Sequence, residues 1–134
     1  MAQEKTLVIF KPDAVKKQVI GKLITRIEEK GFGLEYMQLK TLTDEELETH
    51  YEEHKDKPFF KDLKAFMKSG PVVVAVVAGE NAIKSMRVMA GATDPLEADA
   101  GSIRAMYAES KGENIIHCSD SPESAQREIN IFTK

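Results

Sequence analysis

The chain lacks any apolar run approaching the ~20 residues that cross a bilayer as a helix; its longest extends only from Val72 to Ala78. A helical membrane span is thereby excluded, and Met1 to Lys5 contains no apolar segment of the kind a secretory leader requires. Cysteine is almost absent. Cys118 is alone and has no partner for an internal disulfide, which fits a reducing, cytoplasmic setting. Positive charge is not in excess either: 19 Lys and Arg face 22 Asp and Glu, for a net charge of −3. A nucleic-acid partner held by broad counterion release is therefore not expected. No internal repeat, low-complexity tract or linker divides the 134 residues, and a hydrophobic content of 42% suffices for one core in one domain over 1–134.

What is present is a regular alternation of strand-like and helix-like segments. Thr6 to Phe10 is short, β-branched and aromatic, and Lys11-Pro12-Asp13 breaks it, predicting a buried strand that ends in a turn. Ile20, Leu23, Ile24 and Ile27 recur at helical spacing, with Gly31 as the C-terminal stop. Leu34 to Leu42 reads as a second strand whose apolar phase slips between Tyr36 and Met37, so a bulge or burial on both faces is expected. Thr43-Asp44-Glu45-Glu46 fits a capping box and opens a helix through about Tyr51 toward Glu53. After Pro58, residues 59–68 form another helix, residues 72–78 a central strand and residues 81–89 a further helix. Ala90 to Gly112 is a long loop holding a brief helix around Ile103, Met106 and Tyr107, and such loops are usually functional. Asn114 to His117 is the last strand and Pro122 to Phe132 the last helix, with Ala125, Ile129 and Phe132 inward.

His117 is the candidate nucleophile. It ends a short apolar stretch just before a helix start in which Ser121 is the N-cap and Pro122 the first helical residue. Free amides and the positive end of the helix dipole would face it, an arrangement suited to phosphate. An unperturbed imidazole, with pKa ~6.5, is mostly neutral near neutrality and can attack phosphorus while its second nitrogen is held by an acceptor. Glu128 is that acceptor by position, about two turns beyond Ser121 and on the same side of the helix. Phosphoryl transfer is mainly positioning plus electrostatics, so it needs cations around the moving group; Lys11, Arg87 and Arg104 are the candidates. Phe59 offers a flat face that accepts any base, whereas Phe60 is assigned to the core.

These residues lie in segments that resemble the nucleoside diphosphate kinase family over essentially the whole chain. The segments are Lys11-Pro12-Asp13-Ala14-Val15, Tyr51, Pro58-Phe59-Phe60, Ser69-Gly70-Pro71, Arg87-Val88-Met89, Gly91 to Pro95, Ser102-Ile103-Arg104 and Asn114 to Ser121. The resemblance implies an α/β (α+β) sandwich of the ferredoxin-like type, with a four-stranded antiparallel sheet covered by helices. It implies reversible γ-phosphate transfer from a nucleoside triphosphate to a nucleoside diphosphate, ping-pong through a phosphohistidine at His117. Glu128 would orient His117, supported by Ser119; Arg87, Thr93, Arg104, Lys11 and Tyr51 would handle phosphates and the transition state. Phe59 would stack on the base with broad specificity, and Lys11 and Asn114 would reach the ribose hydroxyls. Mg²⁺ would be carried by the nucleotide phosphates, with Asp120 nearby and no metal site fixed by protein ligands alone. Nucleoside di- and triphosphates are the implied partners, with no nucleic acid or membrane required, in a homo-oligomer that is a tetramer or a hexamer. The alternative of another class is a non-catalytic ferredoxin-like domain that holds a nucleotide without turnover.

Other motifs carry less. His50-Tyr51-Glu52-Glu53-His54 matches the H-x-x-E-H zinc pattern, but a catalytic zinc needs a third ligand and Pro58 cuts the helix within a turn. An exposed, charged helix with two incidental histidines accounts for it. Gly31-Phe32-Gly33 begins like a dinucleotide fingerprint, yet Tyr36 occupies the third glycine position and a strand follows. No Walker A sequence or protein-kinase catalytic loop is present. Within the resemblance, Cys118 stands where the family usually has glycine. Positive φ there would store about 1–3 kcal/mol of strain; negative φ would leave the thiol filling a small gap. A thiol beside His117 and a helix N-terminus also raises the prospect of oxidation sensitivity. Asp94 in place of asparagine and Ala14 in place of glycine look tolerable.

Overall fold

The computed structural model describes residues 3–133. Met1 and Ala2, at the start of the segment expected to lack a leader, and Lys134, the end of the expected domain span, lie outside the described residues. Four strands, β1 (Gln3–Phe10), β2 (Gly33–Lys40), β3 (Val72–Glu80) and β4 (Ile116–Cys118), form one sheet in the order β2-β3-β1-β4, with every neighbouring pair antiparallel. Between them run helices α1 (Pro12–Lys16), α2 (Ile20–Glu29), α3 (Asp44–His50), α4 (Phe60–Met67), α5 (Ala82–Ala90) and α6 (Ile103–Tyr107), and α7 (Pro122–Phe132) follows the last strand. The strand order and the helix layers are those of a ferredoxin-like α+β sandwich. Among the described residues no helix is long and apolar enough to cross a membrane.

Alternation along the strands divides the core in two. Val8 and Phe10 of β1 and Val73 and Val77 of β3 pack with Leu23 and Ile27 of α2 and Met86 of α5 on one face. Leu7 and Ile9 with Val72, Val74 and Val76 pack with Leu47, Met67 and Phe132 of α3, α4 and α7 on the other. β3 is buried along almost its whole length because both its faces are covered, which is why it reads as an unbroken apolar run. On β4, Ile116 and Cys118 belong to the first face, so His117 between them is turned toward α3 and α7.

Local chemistry explains the boundaries. α2 ends in a Schellman arrangement, with Gly31 at φ 97°, its N–H on the Glu28 carbonyl at 2.9 Å and the Phe32 N–H on the Ile27 carbonyl at 3.2 Å. The capping box of α3 is present, Thr43 Oγ1 accepting the Glu46 N–H at 3.1 Å and Glu46 Oε1 accepting the Thr43 N–H at 2.9 Å. The irregularity in β2 is a register shift between Leu34 and Tyr36, before the expected slip at Tyr36 and Met37, which pair in regular register. Other expectations are corrected. Lys11-Pro12-Asp13 opens α1 instead of closing a turn, because proline at the first helical position costs no hydrogen bond and presets φ. β2 ends at Lys40, leaving Leu42 buried beyond it. α3 stops at His50 and a separate 3-10 turn, Glu52–His54, follows, so His50 and His54 do not share one continuous helix. Phe60 is half-buried instead of core, lying edge-on to Tyr51 at 6.5 Å and under the Lys64 ammonium at 5.7 Å. β4 begins at Ile116, not Asn114, because Ile115 has φ 76° and breaks the pleat before it.

Candidate active site

His117 is fixed from its partner strand outward. It pairs with Ile9 of β1, and its ring reaches α7, where Nε2 lies 2.8 Å from Glu128 Oε1. Ser119 Oγ donates to the same carboxylate oxygen at 2.6 Å. Burial would push the Glu128 pKa up, but the hydrogen bonds from His117 and Ser119 outweigh it and hold the carboxyl below its usual range. An ionised Glu128 needs a donor, so Nε2 carries the imidazole proton and Nδ1 keeps its lone pair. α7 supplies the carboxylate at the right height because its start is pinned: Pro122 is the first helical residue and Ser121 Oγ accepts the Ser124 N–H at 3.1 Å. That cap also occupies an amide expected to be free for phosphate, and Asp120 bonds the Ser124 hydroxyl at the same helix end.

The cations converge on the backbone around the histidine. Arg104 donates from Nη1 to the Gly91 carbonyl at 2.8 Å, from Nη2 to the Ile116 carbonyl at 2.6 Å and from Nε to the Asn114 carbonyl at 3.4 Å. Gly91 is needed there: its φ is 90°, and a Cβ would meet Ser102 Oγ at 2.5 Å. Arg87 Nη1 reaches the Cys118 carbonyl at 3.2 Å, and Arg87, Arg104 and Asp120 line one cleft. On the other side of β4, Lys11 Nζ donates to Asn114 Oδ1 at 2.8 Å, while Asn114 Nδ2 donates to the Thr93 carbonyl at 3.3 Å. Burial, then the Arg104 charge, pull Lys11 down to about 8. Tyr51 follows α3, its ring centroid 4.4 Å from that of His50, with its phenol pushed up to about 12 by burial. Phe59 is 49% exposed beside Leu63, Phe66, Gly112 and Glu113, which leaves a free aromatic face.

Cys118 does not carry the backbone strain that its replacement of glycine raised. The left-handed residue is Ile115, three positions earlier, while Cys118 is an ordinary strand residue opposite Val8. Its thiol is buried, points to the Met86 carbonyl at 3.7 Å and is pushed up to about 11 by desolvation.

Three side chains that build the surroundings of the site were not assigned to it from the sequence. Asp13 accepts the N–H groups of Ala14 at 3.1 Å and of Ile115 at 3.0 Å. Arg127 donates to the carbonyls of Thr49 and His50 and so ties α7 to the end of α3. His50, expected to be incidental and exposed, has a side chain only 5% exposed, with Nδ1 3.8 Å from Glu128 Oε2. Its position one turn after buried Leu47 was the available signal.

Comparison with known proteins decides what this constellation belongs to. The family profile described as nucleoside diphosphate kinase matches residues 4–134. The chain belongs to the nucleoside diphosphate kinase family. A nucleoside diphosphate kinase of Streptomyces avermitilis is 52% identical over 130 residues, covering 96% of this chain and 95% of its own length. One from Methanobrevibacter smithii is 48% identical, over 96% of this chain and 86% of its own. Among solved structures, the nucleoside diphosphate kinase of Aquifex aeolicus superimposes with a TM-score of 0.93 at 47% identity, covering 97% of this chain and 94% of that one. A halophilic nucleoside diphosphate kinase from Halobacterium salinarum in complex with CDP gives a TM-score of 0.94 at 40% identity, over 98% and 88% of the two chains.

Proposed function

We propose that this chain moves the γ-phosphate of a nucleoside triphosphate to a nucleoside diphosphate through a phosphohistidine at His117. The observation that carries this is the 2.8 Å contact of His117 Nε2 with an ionised Glu128, which leaves Nδ1 as the free nucleophile. In the first half-reaction the Nδ1 lone pair attacks the γ-phosphorus, an N–P bond forms, and the bond to the bridging oxygen breaks with its electron pair leaving on the diphosphate. Glu128, braced by Ser119, stabilises the positive charge that spreads to Nε2–H. In the second half-reaction a terminal oxygen of the acceptor diphosphate attacks the same phosphorus and the ring recovers its lone pair. That oxygen is already anionic, so no general base is required.

Arg87, Arg104, Lys11, Thr93 and Tyr51 hold the phosphates, Lys11 and Asn114 the ribose hydroxyls, and the half-exposed Phe59 stacks on bases of any kind. Asp120, kept ionised chiefly by the Ser124 hydrogen bond, is a hard oxygen donor of the type Mg²⁺ accepts, beside nucleotide phosphates that would carry most of its coordination. When bound, Mg²⁺ neutralises and aligns those phosphates. The enzyme acts in the cytoplasm as a tetramer or hexamer, a reading supported by the exposed apolar residues Met37 and Leu39 on β2 and Leu96 in the long loop. Light scattering of the purified chain tests the assembly.

The chemistry is tested by incubation with γ-labelled ATP and Mg²⁺. The wild type should yield an acid-labile, alkali-stable phosphoenzyme that added nucleoside diphosphate discharges, and His117→Gln should yield none. An unlabelled wild type would overturn the proposal.

A further inference from the structure

His50 is not used by the chemistry above, yet it is buried inside the site. Its Nδ1 has no hydrogen-bond partner, its ring stands edge-on to that of His117 with centroids 4.9 Å apart, and Glu128 Oε2 is 3.8 Å away. One donor atom from each of His50, His117 and Glu128 falls within 4.8 Å of the others. We propose that His50, His117 and Glu128 form a binding site for a borderline divalent transition metal of the Zn²⁺ or Co²⁺ type, and that its occupancy excludes phosphorylation of His117.

The donor set selects the metal. Two imidazoles and one carboxylate suit Zn²⁺ or Co²⁺, whereas Mg²⁺ prefers an all-oxygen shell. Bond lengths of roughly 2.0–2.2 Å bring tetrahedral ligands to about 3.3 Å from one another, so small side-chain rotations close the set and leave a fourth position for water.

Exclusion follows from the imidazole's single proton. In the metal-free site that proton is on His117 Nε2, facing Glu128, and the attacking lone pair is on Nδ1. A metal–Nε2 bond needs the Nε2 lone pair, so the proton transfers through solvent to Nδ1 and the attacking nitrogen becomes an N–H. The same ion occupies the carboxylate that would otherwise stabilise the phosphorylated ring. Metal binding rests on the cluster alone; the exclusion rests on His117 as the phosphate carrier.

Cobalt titration of the whole chain without nucleotide tests the site, because four-coordinate Co²⁺ has visible absorption bands. Expected are saturation at one Co²⁺ per chain, displacement by Zn²⁺, and affinity weakened by roughly 10–100-fold or more in His50→Gln, since even outer-shell partners cost that much. His54→Gln should bind like wild type. Wild type phosphorylated from ATP and freed of Mg²⁺ should show no bands, a measurement that needs no mutant to fold. Zn²⁺ added before Mg²⁺ and ATP should suppress labelling of wild type but not of His50→Gln, with recovery on chelation. Absence of the bands in wild type, or their persistence in His50→Gln and in the phosphoenzyme, would overturn the proposal. A wild type free of transition metal that fails to label with Mg²⁺ and ATP would instead count against the phosphohistidine chemistry, because the cobalt titration uses no nucleotide.

Discussion

Asp13 holds Ile115 in a backbone conformation that a β-branched residue avoids. Its Oδ2 accepts the Ile115 N–H at 3.0 Å, the Lys11 N–H binds the Ile115 carbonyl at 2.7 Å, and φ at Ile115 is 76°. Both polar ends of the strained residue are thus gripped by the segment that leaves β1. The grip sits two residues before His117 and just after Asn114, so it sets the direction in which both side chains depart.

Asp13→Ala should therefore destabilise the fold by about 1–3 kcal/mol, since it orphans the buried Ile115 N–H, whereas the Ala14 N–H keeps the Lys11 carbonyl at 2.9 Å. Asp13→Asn keeps an acceptor oxygen and should lose less. Urea denaturation of the two variants checks the order; equal losses would mean the carboxylate's hydrogen bonds are not what Ile115 depends on.

The contrast between Asp13 and Glu128 shows how much was legible in the sequence. Glu128 could be placed by counting helical turns from a cap that the residues Ser121 and Pro122 announce. Asp13 could not, because its partner Ile115 is 102 positions away and no local pattern signals a left-handed isoleucine. The strand segments, the central one among them, and the α3 cap were equally readable, each being set by period or by neighbours in sequence, whereas the antiparallel sheet they form was implied by the family resemblance. α1 was not, since five helical residues are too few for a period, and for His50 the helical spacing from Leu47 marks only the inward face, while the pocket around it is built by α7 and β4.

Ser119→Ala should slow phosphorylation of His117 by roughly 10- to 150-fold, the loss of one hydrogen bond to a charged group being about 1.5–3 kcal/mol. Nucleotide affinity should change far less, because Ser119 touches Glu128 and the β1 backbone and no cleft wall. Single-turnover labelling at saturating ATP separates the two; an effect confined to KM would contradict this role.

Acid stability should depend on Glu128. Its folded pKa lies below the usual 4.5, so in the unfolded chain it takes up a proton first as pH falls. Its contribution is complete above about that usual value and is lost as pH drops through the lowered one. Glu128→Gln should flatten the stability profile below about pH 4.5 in urea titrations at stepped pH. An unchanged slope would show that other carboxylates dominate.

Lys11 should set an alkaline limit on catalysis. Burial lowers it to about 8, so above that pH the free enzyme loses a positive charge from the proposed phosphate site and kcat/KM should fall. For folding the sign is opposite: between about 8 and 10.5 the unfolded chain binds the extra proton, so this group makes stability rise with pH. Lys11→Arg should remove the alkaline limb from the kcat/KM profile even if its maximum is lower, because guanidinium stays charged. A limb retained in that variant would assign it to another group.

Cys118 should resist oxidation. A buried thiol pushed up to about 11 offers almost no thiolate near neutral pH. Mild peroxide should leave the Cys118 peptide of the folded protein unmodified in mass spectrometry, whereas the urea-unfolded chain should gain oxygen at this residue. Modification of the folded chain at the same rate as the unfolded one would defeat the expectation.

The capped start of α7 makes spacing a heritable constraint of its own. Arg127 grips the end of α3 and Glu128 grips His117 from adjacent positions, both timed from the Ser121 cap. One residue gained or lost between Ser121 and Glu128 would turn every later side chain by roughly 100° and aim both grips elsewhere. Substitutions in that stretch can be graded in effect, but insertions and deletions cannot. Descendants of this gene should vary there in letters while never varying in length.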